Sequence, residues 1–226
     1  MSLLLLHADL DAFDGDPSCL DAAERARVAR KRDPLQRARQ QAALVFVRHC
    51  LARHLDLPPA RLPLQRSEGG KPMLDPAGWA ALGRHDDPPH YNLSHCGGLA
   101  LLAIAAAPVG VDLEARIVAA RPALAAKLLT DTERQAWERL DATTAVEALT
   151  IVWVRKEAVL KATGLGLRFG LRRLSVGWAV GGACVDLGAA GHWRVEDVEV
   201  RAGYRAAVAL PEGSVGRLPR PVGIRS

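Results

Sequence analysis

Acidic and basic residues occur in two separate segments at spacings that suit phosphate chemistry. Asp112 and Glu114 are two residues apart in the first segment, and Glu157 and Lys161 are four apart in the second. Carboxylate oxygens are the protein ligands that Mg²⁺ takes alongside substrate phosphates, and a lysine ammonium binds phosphate oxygens as a point charge. Together these four side chains suit a site for a phosphate that is bound to a metal ion.

The first pair lies in a segment whose pattern is typical of a β-strand. Apolar Val111 and Leu113 alternate with acidic Asp112 and Glu114, and the preceding Pro-Val-Gly marks a turn. The pattern predicts a strand over residues 110–114. Because strand side chains repeat every two residues, both carboxylates would project from one face.

The second pair lies in a segment with helical periodicity. The sequence predicts a helix over residues 144–163, which begins with a capping box at Thr144 and ends at Gly164. Glu157 and Lys161 would then lie one turn apart on the same face, since side chains four positions apart stack along a helix. A strand with two carboxylates and a helix face with an acid and a base could close on one site.

Ordinary structural roles for the same residues stay open on spacing alone. An acidic pair at the end of a strand is often a solvated edge. Glu157 and Lys161 can form a helix-surface pair, which stabilises a helix by only a few tenths of a kcal/mol. Spacing therefore leaves a solvated surface and a phosphate site as alternatives.

Three blocks of sequence carry these residues and extend the pattern around them. Gly-Val-Asp-Leu-Glu occupies residues 110–114, and Trp-Val-Arg-Lys-Glu-Ala-Val-Leu-Lys, followed by Ala-Thr-Gly, begins at Trp153. The third block is Lys71 with Pro72 and the Tyr-Asn-Leu-Ser-His of residues 91–95. The first two resemble the signature of the 4′-phosphopantetheinyl transferase superfamily. The third resembles its longer, two-domain class, which activates surfactin synthetase and similar peptide and polyketide synthases.

The resemblance implies a reaction and a role for each of the four residues. Coenzyme A would be cleaved at its pyrophosphate, its 4′-phosphopantetheine arm would pass to a serine hydroxyl of an apo carrier protein, and 3′,5′-ADP would leave. Asp112, Glu114 and Glu157 would hold Mg²⁺, and Lys161 would contact the phosphate. Glu157 and Lys161 would be the catalytic residues. The base that takes the serine proton stays open between Glu157 and a water acidified by the metal.

The resemblance also implies a set of coenzyme-binding residues. Lys71, Ser94 and His95 belong to the matched third block, whereas the arginines come from a region rich in basic residues that has no distinctive anchor. Most charges on such helices are simply solvated. The coenzyme-binding set is Arg27, Arg30, Arg48, Lys71, Ser94, His95 and Lys161.

Glu133 has two interpretations. Members of this superfamily often have a further glutamate near the metal site. The segment that begins at Thr130 is also a capping box, in which Glu133 would bind the backbone at the start of a helix. The sequence leaves both roles open.

The mixture of predicted strands and helices indicates the α+β class. The resemblance implies a pseudo-dimer of two similar α/β halves, each with a small antiparallel sheet packed on a long helix, with the coenzyme between them. The N-terminal half would be residues 1–108, with the coenzyme contacts, and the C-terminal half residues 109–210, with the metal site; residues 211–226 would form a loosely held tail. Predicted strands lie near residues 2–8, 98–106, 110–114, 172–180, 183–187, 192–200 and 204–210, and predicted helices near 20–30, 36–55, 120–128, 131–140 and 144–163.

The net charge of +5 and the isoelectric point near 9.3 favour an acidic partner. Aromatic residues make up only 4% and no nucleic-acid motif is present, so nucleic acid is not expected. The resemblance implies an acidic carrier-protein domain. A nucleotide kinase is disfavoured because the chain lacks a Gly-x-x-x-x-Gly-Lys-Ser/Thr loop. A carrier-binding module without activity is disfavoured because every acidic and lysine position of the motifs is intact.

The four cysteines are dispersed, without the spacing of a metal site. Reduced thiols in a cytoplasmic protein are therefore expected. The apolar start at residues 3–6 turns acidic at once and is much shorter than a membrane span, so no membrane partner is expected. A monomer is expected.

Overall fold

The computed structural model describes residues 2–119, 121–214 and 218–224 of the chain. Residue 120 of a predicted helix, residue 1, and residues 215–217 and 225–226 of the predicted tail lie outside the described residues. Helices and strands are mixed along the chain, which confirms the α+β class. The strands are β1 (Leu4–Asp9), β2 (Leu64–Arg66), β3 (Pro72–Leu74), β4 (His90–Cys96), β5 (Leu99–Ala105), β6 (Gly110–Ala115), β7 (Ala183–Asp186), β8 (His192–Val198), β9 (Tyr204–Pro211) and β10 (Val222–Gly223). The helices are α1 (Ala22–Ala29), α2 (Pro34–Leu55), α3 (Pro76–Ala81), α4 (Pro122–Leu128), α5 (Asp131–Trp137) and α6 (Ala142–Thr163).

The N-terminal half provides three strands of a four-stranded sheet that packs on helix α2, and β10 near the end of the chain provides the fourth. The strand order is β10-β1-β5-β4, with β1, β5 and β4 antiparallel and β10 parallel to β1. Strand β5 is apolar throughout, and its Leu102 and Ile104 share a buried core with Phe46 and Leu51 of α2. A strand that is apolar on both faces needs cover on both. The second half of the chain covers the other face.

The C-terminal half also combines a four-stranded sheet with one long helix. The strand order is β6-β9-β8-β7, and all neighbours are antiparallel. Val152 and Val159 of α6 share a buried core with Val195 of β8 and Ala207 of β9. Helices α2 and α6 both have 22 residues. This likeness is in keeping with the pseudo-dimer, which stays a prediction.

A third core lies between the two sheets. Leu101 of β5 and Val111 and Leu113 of β6 belong to it, and all three are fully buried. Because strand side chains alternate, Asp112 and Glu114 project from the opposite face of β6. That face lies against α6, where Lys161 contacts Asp112. The apolar and acidic alternation of this strand therefore separates the core between the sheets from the candidate site.

Helix α6 crosses β6 so closely that Gly110 has no space for a side chain. A Cβ atom at this position would lie 2.1 Å from the carbonyl oxygen of Ala158 and 2.3 Å from the backbone nitrogen of Ala162. Both distances are far below van der Waals contact, and both atoms belong to a rigid helix backbone. The glycine of the first motif block thus allows the backbones of strand and helix to approach this closely.

Gly110→Ala is therefore expected to lower the free energy of unfolding by about 1–3 kcal/mol or more, the usual cost of overpacking a core. Chemical denaturation monitored by circular dichroism measures the change. Gly69→Ala is the matched control, because a Cβ at Gly69 would meet no atom closer than 3.8 Å. Equal stabilities of the two variants would contradict the close approach.

The strand predicted over residues 172–180 is wrong. Its backbone is bound by side chains instead of by a neighbouring strand. The carboxylate of Glu133 accepts hydrogen bonds from the N–H groups of Val176 and Gly177, at 2.9 and 3.0 Å. The guanidinium of Arg155 donates to the carbonyl oxygen of Gly177 at 3.0 Å. Buried backbone groups need partners, and here two charged side chains replace the sheet ladder.

Helix α6 begins earlier than predicted. Asp141 is its N-cap, and the Asp141 carboxylate accepts hydrogen bonds from the N–H and the hydroxyl of Thr144. The predicted capping box at Thr144 is therefore wrong, since Glu147 pairs with Arg205 instead. The predicted stop is confirmed, because Gly164 adopts a left-handed φ of 74° at the C-cap.

The third motif block lies partly on a strand that the periodicity did not predict. Residues 91–95 belong to β4, the edge strand of the N-terminal sheet. Part of the predicted tail also returns to this sheet, where Val222 and Gly223 pair with Leu6 and His7. Among the helices of the described ranges, none has both the length and the apolar character needed to cross a membrane.

Candidate active site

Asp112 is the centre of a polar cluster between β6, β4 and α6. Its carboxylate is 2% exposed, and its Oδ1 atom accepts hydrogen bonds from Lys161 Nζ at 2.6 Å and from Ser94 Oγ at 3.0 Å. Lys161 Nζ also lies 3.1 Å from Ser94 Oγ. The structure therefore brings together three residues that were predicted from three different motif blocks.

Glu114 and Glu157 flank this cluster. Burial raises the pKa of Glu114, and the nearby Asp112 carboxylate raises that pKa further. Burial likewise raises the pKa of Glu157, with additional contributions from Asp112 and Glu114 that outweigh the opposing effect of Lys161. The three carboxylates therefore repel one another, and one lysine only partly offsets their charge.

The donor set fits a divalent cation. Asp112 Oδ2 is buried and has no hydrogen-bond partner in the described part of the chain, which is costly for a carboxylate oxygen. Within the same ranges, no group of three or more His, Cys, Asp or Glu side chains stands in an arrangement that could hold a metal ion, so the fit is one of donor chemistry. A hard cation would bind the free oxygen and relieve the repulsion among Asp112, Glu114 and Glu157. The assignment of these three residues as Mg²⁺ ligands stays a prediction.

A cavity of about 340 Å³ opens beside the cluster, between the two halves of the chain. The C-terminal half contributes Glu157 and Lys161, and the N-terminal half contributes Arg66 and Lys71. A larger cavity of about 1040 Å³ lies near Phe13, and its lining residues come from outside the three motif blocks. The smaller cavity is therefore the candidate substrate cleft, since one carboxylate, two lysines and an arginine line it.

Arg66 is a cleft residue that the sequence interpretation missed. It lies on β2, in the same hairpin as Lys71. Burial lowers the pKa of Arg66, and the positive charge of Arg27 lowers it further. Two arginines that repel each other beside a cleft favour an anionic ligand. The sequence signal that could have identified Arg66 was its position five residues before Lys71, on the other side of a Gly-Gly turn.

Lys71 connects the two halves. Its Nζ donates to the carbonyl oxygen of Ala162 at 2.8 Å and lies 3.3 Å from that of Val109. Burial lowers the pKa of Lys71 to about 8. A cation at the carboxyl end of α6 is favourable because the carbonyl groups there are unpaired and carry partial negative charge. Lys71 thus stabilises the cleft, and its coenzyme contact stays a prediction.

His95 lies near the cluster, at the end of β4. Burial lowers the pKa of His95, and the charges of Lys161 and Lys31 lower it further. Among the basic residues that follow α1, Lys31 is thus the one whose positive charge lowers the pKa of His95. Arg30 is exposed at the end of α1. Arg27 lies 3.9 Å from Glu24. The coenzyme roles of His95, Arg27 and Arg30 stay predictions.

Arg48 has structural contacts. It is 2% exposed, and its guanidinium donates to Glu24 at 2.7 Å, to Asp21 at 3.0 Å and to the carbonyl oxygen of Pro59 at 2.8 Å. These bonds fix α1 and the turn at Pro59 against α2. A buried arginine that is satisfied in this way has an ordinary role in packing. The predicted coenzyme contact of Arg48 receives no support from this arrangement.

Comparison with known proteins assigns the C-terminal half. Residues 108–209 match the model of the 4′-phosphopantetheinyl transferase superfamily. These residues form a domain of that superfamily. The matched region includes β6, α6 and all three candidate metal ligands. The predicted enzyme class, a 4′-phosphopantetheinyl transferase, is thereby confirmed.

Three relatives extend the similarity into the N-terminal half. A protein of Synechocystis sp., provisionally named a 4′-phosphopantetheinyl transferase, is 29% identical over 197 residues, or 84% of this chain and 76% of that protein. A phosphopantetheinyl transferase of Thraustochytrium sp. is 32% identical over 69% of this chain and 56% of its own length. A 4′-phosphopantetheinyl transferase of Bacillus pumilus is 29% identical over 66% of this chain and 59% of its own length. The chain thus spans less than two thirds of the last two relatives.

One lysine of the transferase motif is structural. Lys156 is fully buried, and its Nζ donates to Glu133 Oε2 at 2.6 Å and to the carbonyl oxygen of Leu128 at 2.7 Å. The same Glu133 oxygen accepts from the N–H of Thr130, which confirms the capping box. Burial alone would raise the pKa of Glu133, but its hydrogen bonds, led by that from Lys156, outweigh burial and lower it. The contacts of Lys156 and Glu133 together thus hold α4, α5 and the segment at Val176 onto α6.

Glu133→Gln is expected to lower the free energy of unfolding of the transferase by about 3–5 kcal/mol, because it leaves Lys156 buried without its counter-charge. Glu133→Gln with Lys156→Met should recover much of the loss. A carboxylate with a lowered pKa stabilises the fold above its ordinary value of 4.5, and this contribution is lost as the pH falls toward the folded pKa. Denaturation of all three proteins at neutral and acid pH measures both effects; a double variant less stable than the single one would contradict the pairing.

Proposed function

We propose that this chain transfers the 4′-phosphopantetheine arm of coenzyme A to a serine hydroxyl of an apo carrier protein and releases 3′,5′-ADP, with Mg²⁺ as the metal. The observation that carries the proposal is the cluster of Asp112, Lys161 and two further carboxylates beside a cleft with basic residues from the other half. The superfamily match supports the reaction class, since enzymes of this name act on coenzyme A and carrier proteins.

The negative charge on the pyrophosphate is the main obstacle to attack by a serine oxygen. Bound Mg²⁺ would neutralise part of that charge when held by Asp112, Glu114 and Glu157. Lys161 would place its ammonium on the phosphate oxygens from one turn further along α6. It is already held within the cluster by Asp112 and Ser94. A cation fixed in advance costs little reorganisation as charge develops, which makes such groups effective.

Glu157 and a water acidified by the metal would be the two candidates to accept the serine proton. Glu157 is partly buried in the cleft, and burial, with a further contribution from the neighbouring Asp112, raises its pKa. Its position on α6, one turn before Lys161, places a proton acceptor and a cation on one face of the helix. The hydroxyl would therefore be deprotonated beside the group that stabilises the phosphate.

Several finer features belong to the same proposal. The N-terminal half would hold the coenzyme through Arg66, Lys71, Ser94 and His95, which lie in or beside the cleft. The chain would belong to the longer two-domain class and act as a cytoplasmic monomer. Its net charge of +5 would favour acidic carrier domains.

Incubation with coenzyme A, Mg²⁺ and a panel of apo carriers tests the proposal. The panel contains acyl and peptidyl carriers of fatty-acid, polyketide and peptide synthesis, and intact-mass spectrometry follows each carrier. A gain equal to one phosphopantetheine group on at least one carrier is expected. A carrier whose serine is replaced by alanine is the matched control and should gain nothing. No gain on any carrier, from folded protein, would contradict the proposed function.

A further inference from the structure

Two edge strands from different sheets are joined through side chains. Strand β4 ends the N-terminal sheet and β6 ends the C-terminal sheet, so the two do not share a backbone ladder. Instead, every second side chain of β4 accepts a hydrogen bond from every second N–H group of β6. The bonds are Val111 N–H to Asn92 Oδ1 at 2.8 Å, Leu113 N–H to Ser94 Oγ at 3.2 Å, and Ala115 N–H to Cys96 Sγ at 3.4 Å.

These bonds fix the part of β6 that carries the candidate metal ligands. Asp112 lies between the first and second bonded N–H groups, and Glu114 lies between the second and third. Any slip of β6 along β4 would move both carboxylates relative to α6. The three side chains of β4 therefore define where the ligands stand, although none of them belongs to the metal ligand set.

Cys96 is the side chain of this ladder that lies next to Glu114. Its sulfur accepts the hydrogen bond from the N–H of Ala115, the residue that follows Glu114. Cys96 thus restrains the backbone on which Glu114 stands.

We propose that Cys96 is a positioning residue that holds Glu114 in the orientation needed to bind the metal ion. The inference rests on the proposed function, because it takes Glu114 as a ligand. Groups that hydrogen-bond to a metal ligand orient it, and their loss commonly costs 10–100-fold in metal affinity. Asn92 and Ser94, the other two side chains of the ladder, cannot replace this contact. They bind the N–H groups of Val111 and Leu113, which precede Glu114 on β6.

Metal binding by two variants tests the role. Cys96→Val removes the hydrogen-bond acceptor at similar size, whereas Cys96→Ser keeps an acceptor. Mn²⁺ is the probe, and electron paramagnetic resonance measures free Mn²⁺ during titration, with and without coenzyme A. Cys96→Val is expected to weaken Mn²⁺ binding about tenfold or more, and Cys96→Ser to remain near the wild type. Cys184→Val is the matched control, because Cys184 is exposed on β7.

Melting temperatures without metal separate positioning from folding. A purely structural role would lower the melting temperature of Cys96→Val and leave its Mn²⁺ affinity unchanged, and this result would overturn the proposal. Cys96→Ala serves as the second variant if Cys96→Val does not fold. A wild type that binds no Mn²⁺ would also overturn it. Failure of the carrier assay with normal Mn²⁺ binding would instead count against the proposed function alone.

Discussion

Asp112→Asn is expected to lower the single-turnover rate of phosphopantetheine transfer by about two orders of magnitude or more, the size of losing a major electrostatic contact in a transition state. Asp112 is nearly inaccessible, and one of its oxygens has no partner within the described chain. The amide keeps the shape but removes the charge that would hold the metal. Glu114→Gln and Glu157→Gln are expected to have effects of similar size.

Rapid-quench measurements with an apo carrier, at several Mg²⁺ concentrations, check this expectation. Asp186→Asn is the matched control, since Asp186 is exposed on β7 in the C-terminal half. Its rate should equal that of the wild type. Near-normal transfer by Asp112→Asn, Glu114→Gln and Glu157→Gln in the presence of a chelator would contradict the metal site.

Lys161→Ala is expected to lower the transfer rate strongly, and Lys161→Arg to recover only part of it. The ammonium lies 2.6 Å from Asp112 and its side chain is 30% exposed, so it can reach both the carboxylate and the cleft. A planar guanidinium does not reproduce a compact point charge at a site formed around lysine. The ordinary alternative is that Lys161 only pairs with Asp112 and stabilises the fold.

Transfer rate and melting temperature, measured for the same variants, distinguish these roles. A loss of transfer rate in Lys161→Ala at saturating Mg²⁺ supports the catalytic role. Lys161→Arg should then recover more of the lost melting temperature than of the lost rate. Lys127→Ala is the matched control, because Lys127 is an exposed lysine of α4. An unchanged rate with reduced stability would leave Lys161 as a structural residue.

Local signals in the sequence were sufficient for the elements that form the candidate site. Alternation predicted β6, and Gly164 predicted the end of α6, because both signals act within a few residues. Once these elements are adjacent, Asp112 and Lys161 must meet, since they lie on the facing surfaces. The contact itself depends on the crossing at Gly110, whose steric role only the packed structure shows.

Pairing between charged residues that are far apart in the chain could not be predicted from the sequence. Arg48 looks like any arginine of a basic helix, but Glu24, which lies 24 residues earlier, holds it in the interior. The alternation of residues 172–180 likewise predicted a strand. Arg155 and Glu133 bind the backbone of this segment instead, so it does not pair with a sheet. In each case a buried side chain satisfies groups distant in sequence, and periodicity carries no information about such partners.

The side-chain ladder between β4 and β6 illustrates the same limit at the site. Asn92 and Ser94 belong to a recognised motif, yet the sequence does not show that they bind the backbone beside Asp112. Strand pairing rules cover bonds between backbones, whereas this ladder uses side chains on one strand. The register of the two halves is therefore set by residues whose motif suggested only coenzyme binding.

Measuring both products of one turnover, with and without divalent metal, is the most direct test for a metal-dependent transferase site. Enzyme in excess over coenzyme A is mixed with apo carrier, and the holo carrier and 3′,5′-ADP are quantified in Mg²⁺ and in chelator. Equal amounts of the two products in Mg²⁺, and neither in chelator, are predicted. Undiminished transfer in chelator, or cleavage of coenzyme A without modification of any carrier, would contradict the assignment of Asp112, Glu114, Glu157 and Lys161 to a metal-dependent transferase site.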